Sequence, residues 1–135
     1  MYARRKVSLF VLRDRSGRVL LQHRDKDAPF LADYWAFFGG GINKNETPSE
    51  AVKREAEEEL GIKLGDLKFF KKYEFQEEDG LYEKFVFIAS LKNSPKNLKE
   101  QQQEGKNLGV FSFEELKNLK ISDNDMIILK DIFIN

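Results

Sequence analysis

Between Lys6 and Arg13 the chain reads KVSLFVLR, apolar or β-branched at most positions, a pattern that predicts a buried strand. Turn chemistry at Asp14-Arg15-Ser16-Gly17 separates it from a second predicted strand, RVLLQH, over residues 18–23. Residues 24–34 form a polar loop with two aromatic residues, and the short apolar stretch 35–38 runs straight into three glycines. Thr47-Pro48-Ser49-Glu50 then predicts a helix start. Thr47 can cap, Pro48 suits the first helical position and Glu50 completes a capping box. The helix is expected to run to Leu60 and stop at Gly61. Residues 67–76 and 81–91 read as strands around an acidic turn ending in Gly80. The stretch 92–105, KNSPKNLKEQQQEG, has almost no apolar content and predicts a long loop. A short strand at 108–111, a helix opened by the box Ser112-Phe113-Glu114-Glu115 and an amphipathic helix from near Ser122 complete the pattern. With no repeat and no linker, the chain reads as one α/β domain over residues 1–135.

Composition narrows the function classes. A chain of 135 residues can bury a real core. Lys plus Arg and Asp plus Glu each number 23, so no global field draws the protein to nucleic acid or membrane. An acidic ligand must therefore be held by local groups. Cysteine is absent, which excludes disulfides and thiolate chemistry. The N-terminal apolar run VSLFVL is too short for a signal peptide, and no segment is long enough to span a bilayer. The expectation is a cytoplasmic protein, monomer or homodimer, with a small-molecule partner and neither nucleic acid nor membrane.

Residues 39–62, GGGINKNETPSEAVKREAEEELGI, carry six glutamates. At about 100° per residue from Glu55, the core-facing residues Ala51, Val52, Ala56 and Leu60 fill an arc from about −40° to 140°. Glu59 falls inside that arc and Glu58 at its edge, whereas Glu50 and Glu57 fall on the solvated side. Glu55, Glu58 and Glu59 thus share one surface beside the core. Like charges at these spacings repel by roughly 0.2–0.5 kcal/mol per pair, more when partly buried. One arginine, Arg54, cannot neutralise three carboxylates. A hard divalent cation such as Mg²⁺ can, because it takes oxygen ligands and shares phosphate oxygens with its substrate. Gly39-Gly40-Gly41 ahead of the helix would let a ligand approach the backbone.

These residues resemble the Nudix box, G-x5-E-x7-R-E-U-x-E-E-x-G-U, where U is apolar. Gly40, Glu46, Arg54, Glu55, Ala56, Glu58, Glu59, Gly61 and Ile62 fill every specified position. Seven of these are fixed residues, so an accidental match is on the order of one in 10⁸ per start point. Ala56 is smaller than the usual aliphatic. Beyond the box, the order of elements also looks like the family's.

The resemblance implies a Nudix α/β/α sandwich with a mixed β-sheet. It implies hydrolysis of a nucleoside diphosphate linked to another group, with Mg²⁺ (or Mn²⁺) as cofactor. Glu58 and Glu59 would be the principal metal ligands, Glu55 a further ligand or the base, and the Gly39 carbonyl would complete the set. Arg54 and Glu46 would form a structural ion pair. Glu104 would add a ligand or base from the later loop, with Glu100 in reserve. Arg24 would reach a substrate phosphate, Gly40 would border the substrate, one of Trp35, Phe37 and Phe38 would stack on a base while others are core, and Asn124 would read the base. Phe38 stands where many MutT-like sequences have proline. The lone histidine, His23, is expected to be structural. A nucleoside triphosphate is the leading substrate class. Dinucleoside polyphosphates survive through a downstream Tyr73 or Tyr82. The downstream proline of ADP-ribose hydrolases and the proline-rich signature of NADH hydrolases are absent, nucleotide sugars stay a further alternative, and a non-catalytic nucleotide sensor is disfavoured because no box carboxylate is missing.

Overall fold

The computed structural model describes residues 4–103 and 107–134. Its elements run β1 (Arg4–Arg13), β2 (Val19–His23), β3 (Trp35–Ala36), β4 (Phe38–Gly41), α1 (Pro48–Leu60), β5 (Lys68–Glu77) and β6 (Gly80–Ser90). There follow α2 (Pro95–Gln101), β7 (Asn107–Phe111), α3 (Phe113–Leu116) and α4 (Asp123–Ile134). The sheet order is β3-β2-β1-β6-β5, with β4 also pairing β1 and β7 also pairing β2. Among the described strand pairs only β1 and β6 run parallel, so the sheet is mixed.

Strand period sorts the core into two layers. Phe10, Leu12, Leu20 and Phe38 point to one face and pack with Val52, Ala56 and Leu60 of α1 and Leu98 of α2. Val11, Val19, Leu21 and Phe37 point to the other and pack with Leu116 of α3 and with Ile128, Leu129 and Ile132 of α4. The architecture is an α/β/α sandwich. Each helix buries a single apolar stripe, which is why the intervening residues remain charged.

One expectation is corrected. Residues 92–105 were expected to form a loop, but 95–101 form α2. Ser94 caps it by accepting from the Asn97 N–H, Pro95 occupies its first turn, and Leu98 is buried against the α1 layer. One apolar residue every two turns is too sparse for a periodicity signal, although the Ser-Pro start was there to be read. Among the described residues no helix is long and apolar enough to cross a membrane.

Candidate active site

The acidic helix α1 starts and stops as its sequence dictates. Thr47 accepts from the Glu50 N–H while the Glu50 carboxylate accepts from the Thr47 N–H. Gly61 ends the helix in the left-handed conformation. Between β4 and α1, Asn45 at φ 66° and the Glu46 N–H to Asn43 carbonyl bond make a tight turn that brings Glu46 back over the helix.

Arg54 ties these pieces together. Its Nε and Nη2 donate to Glu46 Oε2 and Oε1 at 2.8 and 3.0 Å, a bidentate pair. Nη2 also donates to the Gly41 carbonyl at 3.0 Å. Nη1 donates to Glu55 Oε1 at 3.0 Å and Glu58 Oε2 at 3.3 Å. The guanidinium, helped by the Asn43 N–H, pulls the Glu46 carboxyl down to about 2. The carboxylates differ in environment: Glu59 is 2% exposed, the Glu55 side chain 13% and the Glu58 side chain 59%.

The glycines of β4 hold Glu55 from the other side. A methyl group on Gly40 would stand 2.5 Å from Glu55 Oε1, so the carboxylate lies against bare backbone. Gly39, at φ 140°, has room for no side chain because one would run into the Ser8 carbonyl of β1.

On the opposite face of the sheet lies a cleft of about 170 Å³. Its floor is Val7, Leu9 and Phe37 with Gly39 and Gly40, and its walls carry Tyr82 and Lys84 of β6 and Asp125 of α4. Arg24, Phe30 and Leu31 close one side from the loop between β2 and β3. Lys84, although 8% exposed, is charge-matched by Glu77 Oε2 at 2.9 Å and Asp125 Oδ1 at 3.8 Å. Burial pushes the Asp125 carboxyl up to about 6, against the pull of Lys84.

The structure sorts the expected site residues. Gly39, Gly40, Glu46, Arg54, Glu55, Glu58 and Glu59 gather around α1 and β4. Arg24 lines the cleft, and Asn124 lines the adjoining groove, where its Nδ2 donates to Glu77 Oε2 at 2.9 Å. Glu104 lies outside the described residues. Of the three rings expected to supply a base stack, Phe37 lines the cleft, and the expectation for Phe38 is corrected. Phe38 is 1% exposed and stacks on Phe10 in the α1 layer, because a one-residue step along the strand turns it away from the cleft. Trp35 stacks on His23 at 4.6 Å and meets Phe111 edge-on, and it does not line the cleft. Tyr73 bonds Asp131 and packs in the α4 layer, so of the two tyrosines only Tyr82 meets the cleft.

Glu77, Lys84 and Asp125 escaped the sequence reading. The one available signal was Lys84, a cation between Tyr82 and Val86 in an inward strand register.

As a place for a metal, the α1 surface offers hard oxygen donors of the kind Mg²⁺ prefers. Among the described residues, no three acidic or histidine side chains converge tightly enough to hold an ion as they stand. The Arg54 guanidinium bridges Glu55 and Glu58, and a positive group between those two oxygens is what the donor set fits.

A family profile described as the NUDIX domain matches residues 3–130. An 8-oxo-dGTP diphosphatase of Haemophilus influenzae is 28% identical over 85 residues, 63% of this chain and 62% of that protein. An RNA pyrophosphohydrolase of Pseudomonas paraeruginosa is 40% identical over 58 residues, 43% of this chain and 33% of that protein. The matched stretch thus spans less than two thirds of either relative. The crystal structure of a MutT NUDIX hydrolase from Burkholderia pseudomallei superposes with a TM-score of 0.77 at 26% identity, covering 95% of this chain and 97% of that one.

Proposed function

The chain belongs to the NUDIX domain family, and from that premise we propose that it hydrolyses a phosphoanhydride bond in a nucleoside diphosphate bearing a further group. A nucleoside triphosphate, oxidised or not, is the foremost substrate, yielding the monophosphate and pyrophosphate. The substrate is a free nucleotide rather than a nucleic-acid end, and the cofactor is Mg²⁺, with Mn²⁺ as substitute. The observation that carries this reading is the Arg54 joint, which locks Glu46, Glu55, Glu58 and the Gly41 carbonyl into one unit that meets the cleft at Gly39 and Gly40 of β4.

Glu55, Glu58, Glu59 and the Gly39 carbonyl would hold the ion. When bound, it would supply Lewis-acid polarisation of the phosphoryl oxygens. The chain's own residues do the rest by position. Arg54 fixes the Glu55 carboxylate against Gly40, in the space a side chain there would fill. Glu55 accepts the proton of the attacking water, with Glu104 as the alternative acceptor. Asn124, at the adjoining groove, meets the base edge.

The test is turnover of dGTP, ATP, ADP-ribose, diadenosine tetraphosphate and a 5′-triphosphorylated RNA, with Mg²⁺ or with EDTA, and product analysis for pyrophosphate against phosphate. Glu58→Gln should lose most activity and keep its fold, since the Glu58 side chain is largely exposed. Wild-type activity in that variant would sink the ligand assignment. Tight nucleotide binding without turnover would make the protein a sensor.

A further inference from the structure

Both cations that line the cleft are already engaged by acceptors of the protein itself. Lys84 sits with Glu77 and Asp125, over the rings of Phe75 and Tyr82. Arg24 gives its Nε–H to the Phe30 carbonyl at 2.8 Å and its backbone N–H to the Tyr34 carbonyl at 2.9 Å. A guanidinium bonded to main chain six residues away shapes the loop between them.

That loop is held in an unusual form. Leu31 and Asp33 both adopt positive φ, at 50° and 66°, a conformation that persists in non-glycine residues only where the surroundings over-determine it. The Asp33 N–H bonds the Asp25 carbonyl, and the Asp33 carboxylate meets His23 Nε2 at 3.1 Å. The result is to hang Phe30 at the mouth of the cleft. The residue is 45% exposed, though large and apolar, and its ring lies 6.4 Å from the Tyr82 ring, 21° from parallel. An apolar ring held half in water beside a cleft gains by covering a flat partner. Phe30 stands where this cleft meets the groove at Asn124 and lines both, as do Leu31, Glu77 and Lys84.

We propose that Phe30 closes the cleft over the base of the substrate and stacks on it, and that Arg24 is a positioning residue that holds Phe30 there rather than a phosphate ligand. This rests on the nucleotide reading above and replaces the phosphate contact expected for Arg24.

The experiment is steady-state kinetics on the fastest-cleaved of dGTP, ATP, ADP-ribose and diadenosine tetraphosphate, for wild type, Phe30→Ala, Phe30→Tyr, Arg24→Gln and the Arg24→Gln/Phe30→Ala pair. Loss of a base stack should raise KM about tenfold in Phe30→Ala with kcat within about twofold. Phe30→Tyr, which keeps the ring, should recover the wild-type KM. Arg24→Gln should raise KM alone, and the double variant should be no worse than Phe30→Ala. An unchanged KM in Phe30→Ala overturns the stacking role and leaves the nucleotide reading standing. A kcat loss in Arg24→Gln, or additive effects in the double variant, returns Arg24 to the phosphates. No turnover of any of the four by the wild type overturns both readings.

Discussion

Three adjacent glycines should give three different outcomes when each is replaced by alanine. At Gly40 the backbone is compatible with alanine, and the new methyl would meet only the end of one flexible side chain, 2.5 Å from Glu55 Oε1 and 2.9 Å from its Cδ. To restore ordinary contact the carboxylate must retreat by about 0.9 Å. The fold absorbs such a shift cheaply, but the site does not, because Glu55 would leave its 3.0 Å bond to Arg54. A displacement near 1 Å in a catalytic constellation costs about 10²-fold in rate. Gly40→Ala should therefore melt within a few degrees of wild type and release pyrophosphate about 100-fold more slowly. At Gly39 the methyl would strike the backbone of Ser8 and Leu9, and φ 140° forbids it independently. Gly39→Ala should lose about 3 kcal/mol or more, visible in chemical denaturation. At Gly41 a methyl meets nothing within 4 Å, so Gly41→Ala should match wild type in both assays. Full activity in Gly40→Ala, or a stability loss there as large as at Gly39, would refute the claim that Glu55 is the group being displaced.

Asp125→Asn should raise stability at pH 7. The folded carboxyl titrates near 6 against a reference of 3.8, so the native state binds more protons between those values, and wild-type stability falls as pH rises through that window. At pH 7 the buried charge costs about 3 kcal/mol, which the asparagine avoids; the two proteins should converge below pH 4 in urea titrations. Lower stability of the variant at pH 7 would mean that the attraction of Lys84 outweighs desolvation. Phe38→Ala should lose about 3–5 kcal/mol, while Phe38→Leu, which keeps most of the volume, should leave the nucleotide KM within about twofold. A selective KM effect in Phe38→Leu would put that ring back in the substrate site.

What could be read in the sequence was local. The capping box at Thr47, the stop at Gly61 and the position of Glu59 on the apolar arc all lie within one helix, and helix geometry alone relates them. The near-continuous apolar run of β1 identified a buried strand, since both its faces are covered. Neighbouring Phe37 and Phe38 were a harder case, because which of two alternating residues faces a cleft depends on register with β1. The Lys84, Glu77 and Asp125 cluster was out of reach. Its members come from β5, β6 and α4, and only the closed fold makes them neighbours. A buried lysine is costly until its counter-charges arrive, and these come only with the fold, so the inward register of Lys84 was the one local sign.

The Arg54 joint has a further consequence for how such a chain can change over generations. Among the described residues, every partner of that guanidinium comes from residues 41–58, whereas the cleft is walled largely by residues 24–37, 77–84 and 125. The part proposed to break the bond and the part proposed to choose the substrate are thus separate modules, joined mainly through the glycine strand β4. On the proposed reading, substitutions in the loop, in β6 or at the start of α4 would retune preference without loosening the Arg54 unit. Drift in specificity and constancy of chemistry are compatible here because different stretches of chain bear them.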